Sequence, residues 1–228
     1  MAWRDDLDLA FDDARANPHQ DSAMTESTIV VHGTVLSGHT HRVASFLTIL
    51  GLPYRLEQAP MAVRQTPAFR ALNPLGQIPV LQDGDLVLSD SCAILVYLAK
   101  RYAPGSPWLP EEPVAAAHVQ RWLAIAAGEL KYGPAAARVI TVWNSPGDLA
   151  AAHAIAARLL RFMEGHLAST AFLAADHPTI ADIACYSYIA HAPEGRVSLA
   201  EYEHVRAWLS RVEAIPGFKP MPKSAIPE

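Results

Sequence analysis

The spacing of hydrophobic and polar positions changes once along this chain. Up to about residue 91 the apolar residues come in short β-branched runs broken by glycine and proline; beyond residue 112 they recur every three or four positions. Residues 28–33 (Thr28-Ile-Val-Val-His-Gly33) have the composition of a short buried strand. After a loop over residues 34–39, Val43, Phe46, Leu47 and Leu50 mark one helical face, opened at His39 or Thr40 and closed by Gly51. Residues 54–58 read as a second strand, and residues 66–72 as a short helix with Pro67 in its first turn. Residues 78–81 and 86–88 form two more strands joined at Asp83-Gly84, because glycine accepts the positive φ of a tight hairpin. Pro79 has no N–H to give a ladder, so it interrupts its strand, and its peptide bond is expected to be cis. Ser89, Asp90 and Ser91 supply the short oxygen-bearing side chains that favour a helix start, and residues 93–102 continue as that helix.

Residues 103–110 hold three prolines and a glycine and form the one clear linker. Everything after it carries the helical period. Val119, Trp122 and Leu123 share a face; Gly133-Pro134 bends that helix without ending it, because the apolar period resumes. Ile155, Leu159, Phe162, Met163 and Leu167 mark the next helix, with His153 and His166 on its surface. Thr179 and Asp182 have capping-box spacing ahead of Ile183, Tyr186 and Ile189. Loss of the Asp182 carboxylate is expected to cost about 1 kcal/mol, and more if that turn is buried. Val205, Trp208, Leu209 and Val212 face inward from the last helix. Trp122, Trp208 and Trp143 belong to the core or a pocket wall, and Tyr132 and Trp143 are the aromatic candidates for lining an apolar pocket. The fold class is therefore α/β plus all-α. A thioredoxin-like domain spans residues 24–103, a linker residues 104–112, and a helical-bundle domain with a C-terminal tail residues 113–228.

Composition narrows the field. Half of the 228 residues are hydrophobic, enough for a sizeable core. The net charge is −5, and residues 1–23, with two arginines and six aspartates, carry −4 of it. Those residues read as a flexible leader that does not pack on the body. The absence of a basic patch argues against a nucleic-acid partner, and no apolar run reaches membrane-spanning length. Cys92 and Cys185 are the only cysteines, which fits a reducing cytoplasm and no disulfide framework. Cys92 reads as a small core residue. His39 and His41 lack the further ligands a metal site would need.

Asn73-Pro-x-Gly-Gln-Ile-Pro-Val-Leu81 followed by Leu88-Ser-Asp-Ser-x-Ala-Ile94 resembles the glutathione-binding half of the cytosolic glutathione transferases, which usually carry Glu-Ser or Gln-Ser where this chain has Asp90-Ser91. Thr179-Ile-Ala-Asp-Ile-Ala184 and the segment from Arg206 to Phe218 resemble the helical domain of the same family, so the likeness covers about residues 28–220. Ser37-Gly-His-Thr-His-Arg-Val43 resembles the serine-type members, whose activating serine stands first. The resemblance implies glutathione as co-substrate, no metal, a small apolar second substrate and a homodimer. It implies that Ser37, with Thr40 as the alternative, activates the thiol, and that His39, Gln77, Ile78, Pro79, Asp90 and Ser91 hold the tripeptide.

Read on its own chemistry, Ser37 is equally a turn residue with Thr40 as helix cap. No tyrosine and no cysteine lies between residues 28 and 42, which argues against a tyrosine-type site or a mixed disulfide there. Conjugation leads; a glutathione-dependent peroxidase or isomerase, and a non-catalytic ligand-binding scaffold, are the alternatives.

Overall fold

The computed structural model describes residues 29–225; the leader over residues 1–23, and Thr28 as the first residue of a strand, lie outside them. The chain runs through β1 (Ile29–Gly33), α1 (Gly38–Ile49), β2 (Tyr54–Gln58), α2 (Met61–Arg64), α3 (Pro67–Leu72), β3 (Val80–Asp83), β4 (Leu86–Ser89) and α4 (Ser91–Tyr102). The sheet order is β2-β1-β3-β4. β1 and β2 are parallel, from Ile29 against Tyr54 to Gly33 against Gln58, so α1 must cross over between them. β3 runs antiparallel to both β1 and β4. This is the thioredoxin-like arrangement.

Four local details differ from the sequence reading. α1 is capped by Ser37, not by His39 or Thr40, because the Ser37 Oγ accepts the Thr40 N–H. α2 goes unannounced, since no apolar face marks it and none of its residues is buried. β3 starts at Val80, the first residue after Pro79 with an N–H to give, and pairs there with Ser89 of β4. The hairpin turn itself is Gly84-Asp85, with Gly84 at φ 57, since Asp83 still pairs with Leu86. The Ile78–Pro79 bond is cis.

The helical half holds α5 (Pro113–Ala127), α6 (Ala136–Trp143), α7 (Leu149–Leu167), α8 (Ile180–Ala190) and α9 (Glu203–Glu213). A π-turn, Lys131–Ala135, joins the end of α5 to α6 and absorbs Pro134, whose missing N–H an α-turn would have required. Gly133 is obligatory there, because a Cβ would stand 2.8 Å from the Ala156 backbone nitrogen of α7. α7 presents Ala152, Ala156, Leu159, Leu160, Met163 and Leu167 to the core. Phe162, expected inward, is instead 40% exposed and stacks over the side of Trp122. His153 and His166 are half-buried, not surface residues; their Nε2 atoms donate to the carbonyls of Gly195 and Leu173.

α8 is the axis of the molecule. Every residue from Ile180 to Ile189 is buried, with α1, α4 and α5 packed around it. One continuous core therefore joins both halves, from Val31 and Phe46 through Leu98 and Trp122 to Trp208. A helix apolar on all sides has no solvated face to bond its first turn, so its start must be satisfied internally. Thr179 and Asp182 form the capping box that does so. The Asp182 carboxylate also accepts the Leu173 N–H and the Trp208 indole N–H, both at 2.9 Å. Burial pushes its pKa up, and these donors oppose that.

Asp182→Ala leaves several buried donors unanswered, so the loss should exceed that of an exposed cap. We expect about 3 kcal/mol. Denaturant titration checks this; a loss under about 1 kcal/mol would mean that the carboxylate is dispensable.

Candidate functional site

The β1–α1 turn, the cis-proline loop, the start of α4 and the π-turn with α6 surround one cavity of about 760 Å³. Its sheet-side wall contains Ser37, His39, Gln77, Ile78, Pro79, Asp90, Ser91 and Cys92. Its helical wall contains Ala127, Lys131, Arg138, Val139, Trp143 and Tyr188. Seven of the eight residues singled out from the sequence thus meet in one place. Thr40 does not line it. Its buried Oγ1 accepts the Thr34 N–H, and its side chain fills the space beside Gly33.

Each wall has a local cause. Asp90 sits at φ 73, ψ 119, a conformation that costs about 1–3 kcal/mol for a residue with a side chain. Its Oδ1 recovers part of this by accepting the Cys92 and Ala93 N–H groups at 2.9 and 3.0 Å. The twist brings Asp90 and Ser91 to the rim together. In the loop before Pro79, the Asn73 amide donates to the Gln77 carbonyl at 2.9 Å and fixes the chain's direction.

Arg42 lies beneath the start of α1, fully buried, and among the described residues no carboxylate pairs with it. One Nη donates to the His39 Nδ1 at 2.9 Å and to the Ser91 Oγ at 3.1 Å, while its Nε and other Nη find no partner among the described residues. A buried guanidinium keeps its charge, so the cavity floor is electropositive. His39 responds: burial first, then Arg42 and Lys131, lower its pKa to about 3. It is neutral at ordinary pH, with Nδ1 as acceptor. Cys92 is half-buried in the wall, not sealed in the core, and burial pushes its thiol pKa up.

Arg138 reaches across from α6. Its Nη1 donates to the Leu36 carbonyl at 2.9 Å, immediately before Ser37. Its Nε pairs with Glu194 at 2.7 Å, and Trp143 covers the guanidinium with its ring centre 4.8 Å away. Burial alone would raise the pKa of Glu194, but hydrogen bonds from His191, Arg138 and the Ser224 N–H together hold it low. Sequence reasoning missed Arg138, Arg42 and Tyr188. The one available signal was a tyrosine tip on a helix with no solvated face, since a buried phenol needs a partner. Trp143 lines the pocket; Tyr132 stands outside it, 58% exposed. Among the described residues, no cluster of three or more metal-ligating side chains occurs, and no helix is long and apolar enough to cross a membrane.

Two family profiles match the chain: "Glutathione S-transferase, N-terminal domain" over residues 36–101 and "Glutathione S-transferase, C-terminal domain" over residues 144–216. Glutathione S-transferase 3 of Zea mays is 32% identical over 203 residues, covering 83% of this chain and 90% of the maize protein. Among solved structures, a glutathione S-transferase from Pseudomonas fluorescens Pf-5 superposes with TM-score 0.81 at 34% identity, covering 86% of this chain and 99% of that one. The theta class enzyme of Xanthomonas axonopodis pv. citri, solved with glutathione bound, gives TM-score 0.76 at 29% identity over 88% of this chain and all of the other.

The neutral histidines have a measurable consequence. Burial, partly opposed by a bond to the Lys219 carbonyl, also lowers His41, to about 4. Unfolded histidines take up protons near 6.5, whereas burial holds His41 and His39 neutral down to about 4 and about 3. As pH falls below about 6.5 the unfolded state therefore binds more protons, and stability decreases. His39→Asn, which keeps an acceptor for Arg42, should flatten that decline in denaturant midpoints between about pH 6.5 and 4. A slope equal to that of the wild type would show that His39 is not held neutral.

Proposed function

Because the chain belongs to the glutathione S-transferase family, we propose that it conjugates glutathione to a small apolar electrophile. The observation that carries this reading is the single cavity in which Ser37, Pro79 and Asp90-Ser91 face a helical wall that offers Ala127, Val139 and Trp143 as apolar surface. Glutathione lies along the cis-proline loop, its cysteinyl amide pairing with the Ile78 backbone. Gln77, Asp90 and Ser91 hold the γ-glutamyl end, with His39 alongside. Asp90 spends one carboxylate oxygen on the helix cap and keeps the other for an ammonium group.

The thiol then sits over the start of α1. Free thiols of this kind have pKa near about 8.5, so the site must favour the thiolate. Three features do so: the Ser37 hydroxyl, the positive end of α1, and the unneutralised charge of Arg42 beneath. The thiol proton leaves to solvent. The thiolate forms a carbon–sulfur bond with an electrophile held against Val139 and Trp143, and the leaving group departs with the displaced electron pair. The same reading takes the protein as a cytoplasmic homodimer. Its glutathione-binding domain spans residues 24–103, its linker residues 104–112 and its helical domain residues 113–228.

Retention on immobilised glutathione, and turnover of an activated aryl halide, test the whole reading; a protein that does neither is not a transferase. Ser37→Ala should raise the pKa of the bound thiol by about 1–2 units and cut activity near neutrality by about 10–100-fold. Part of the activity should return at alkaline pH. The lost cap should cost a further ~1 kcal/mol of stability, separable because it does not alter the pH–rate profile. A profile identical to that of the wild type would remove Ser37 from the chemistry.

A further inference from the structure

The helical wall of the cavity carries two cations, Lys131 and Arg138, which differ in their partners. Arg138 is buried and spends its donors on the Glu194 carboxylate, the Leu36 carbonyl and the Ser224 hydroxyl. Lys131 is exposed, and among the described residues no carboxylate pairs with it.

The backbone fixes where Lys131 stands. It opens the π-turn, and its carbonyl accepts the Ala136 N–H. Gly133, two residues on, is pressed against the α7 backbone, where a Cβ would come within 2.8 Å of the Ala156 nitrogen. Residue 131 therefore cannot swing away unless the turn leaves α7. The ammonium lies 5.3 Å from the centre of the Tyr132 ring, which is itself exposed and outside the cavity. Lys131 thus enters the cavity from its mouth, with its stem on the wall and its head in contact with water.

The remaining charges lie on the opposite side. Arg42, Arg64 and Asp90, the other charged residues of the lining, all belong to the thioredoxin-like half, along which the tripeptide is laid. The helical wall is left with Ala127, Val139 and Trp143 as apolar surface and Lys131 as a cation without a carboxylate. A molecule that uses this wall in full has an apolar body and one anionic group.

We propose that the second substrate is an acid: a small electrophile whose apolar body lies on Val139 and Trp143 and whose carboxylate is held at the mouth by Lys131. This rests on the transferase reading above and names the class of its electrophile. Lys131 takes no part in the bond change. With an aryl chloride, the glutathione sulfur forms the bond to the ring carbon, chloride leaves with the electron pair, and the carboxylate is untouched. Lys131 is a specificity-determining residue, and because its head stays hydrated the preference it confers is modest.

Two aryl chlorides of matching shape separate the acid from its body: para-chloro-meta-nitrobenzoate and the corresponding benzamide. Their intrinsic reactivities differ, so the quantity to read is the ratio of their kcat/KM values, compared between variants of the full-length protein. Lys131→Met keeps most of the stem and loses the charge; its acid-to-amide ratio should be about fivefold below that of the wild type. Lys131→Arg should restore the ratio, and added salt should draw the wild-type ratio towards that of Lys131→Met. The KM for glutathione should stay within about twofold of the wild type in both variants. A second measurement needs no turnover of the pair. meta-Nitrobenzoate and meta-nitrobenzamide, which have no leaving group, should compete against a neutral activated aryl halide, and the ratio of their inhibition constants should change by the same factor in Lys131→Met. Ratios unchanged in that variant would overturn the inference and leave the transferase reading standing. So would an equal loss on acid and amide with a raised KM for glutathione, which would assign Lys131 to the tripeptide. A wild type that neither binds glutathione nor turns over the neutral halide would instead overturn the transferase reading, and this one with it.

Discussion

A single guanidinium fixes the turn on which the chemistry stands. Arg138 belongs to the helical half, yet its donors hold the Leu36 carbonyl, the Glu194 carboxylate and the Ser224 hydroxyl at once. A buried cation costs several kcal/mol to desolvate unless its donors are met, so these partners cannot be moved independently. The β1–α1 turn is thereby tied to the segment around residue 194 and to the C-terminal strand of chain at residue 224. The position of Ser37 is a property of both halves. A loop free to choose its own conformation would not hold a hydroxyl at a fixed distance from a helix start.

Arg42 makes a different use of burial. Among the described residues its charge is matched by no carboxylate; it meets the lone pairs of His39 and Ser91 and the face of Tyr188. An uncompensated buried cation destabilises the empty protein and rewards whatever anion enters beside it. The neutral state of His39 follows from the same field. Conformational strain at Asp90 and electrostatic strain at Arg42 therefore flank the cavity from two sides, the pattern in which stability is given up where a ligand will restore it.

The parts legible in the sequence are those set by neighbours along the chain. The β-branched run at residues 29–33, the face Val43-Phe46-Leu47 and the capping box Thr179–Asp182 each follow from a period or spacing of a few residues. So does the grouping of Pro79, Asp90 and Ser91 on one rim, since a hairpin of known length separates them. What stayed hidden depends on long-range packing. α2 has no apolar face to announce it. α7 turns so that Leu160 goes in and Phe162 out, because Trp122 offers a surface for the ring. Tyr188 and Arg138 reach the turn around Ser37, at Gly38 and Leu36, only through contacts that span 100 residues or more. Nothing in the spacing of their own neighbours distinguishes them from core residues.

The segment after α9 folds back over the first helix. The Lys219 carbonyl takes the His41 imidazole at 2.7 Å, Gly217 approaches the Thr48 carbonyl too closely to admit a Cβ, and the Ser224 N–H meets Glu194 at 3.0 Å. Residues of the first helix are thus completed by residues more than 170 positions further along the chain. While the chain is still emerging from the ribosome, α1 has its apolar face but lacks the partners of His41, and the Ser37 turn lacks its clamp. The thioredoxin-like half cannot be finished first and set aside; the nascent chain must hold an incomplete site in reserve until residue 224 is free to close it.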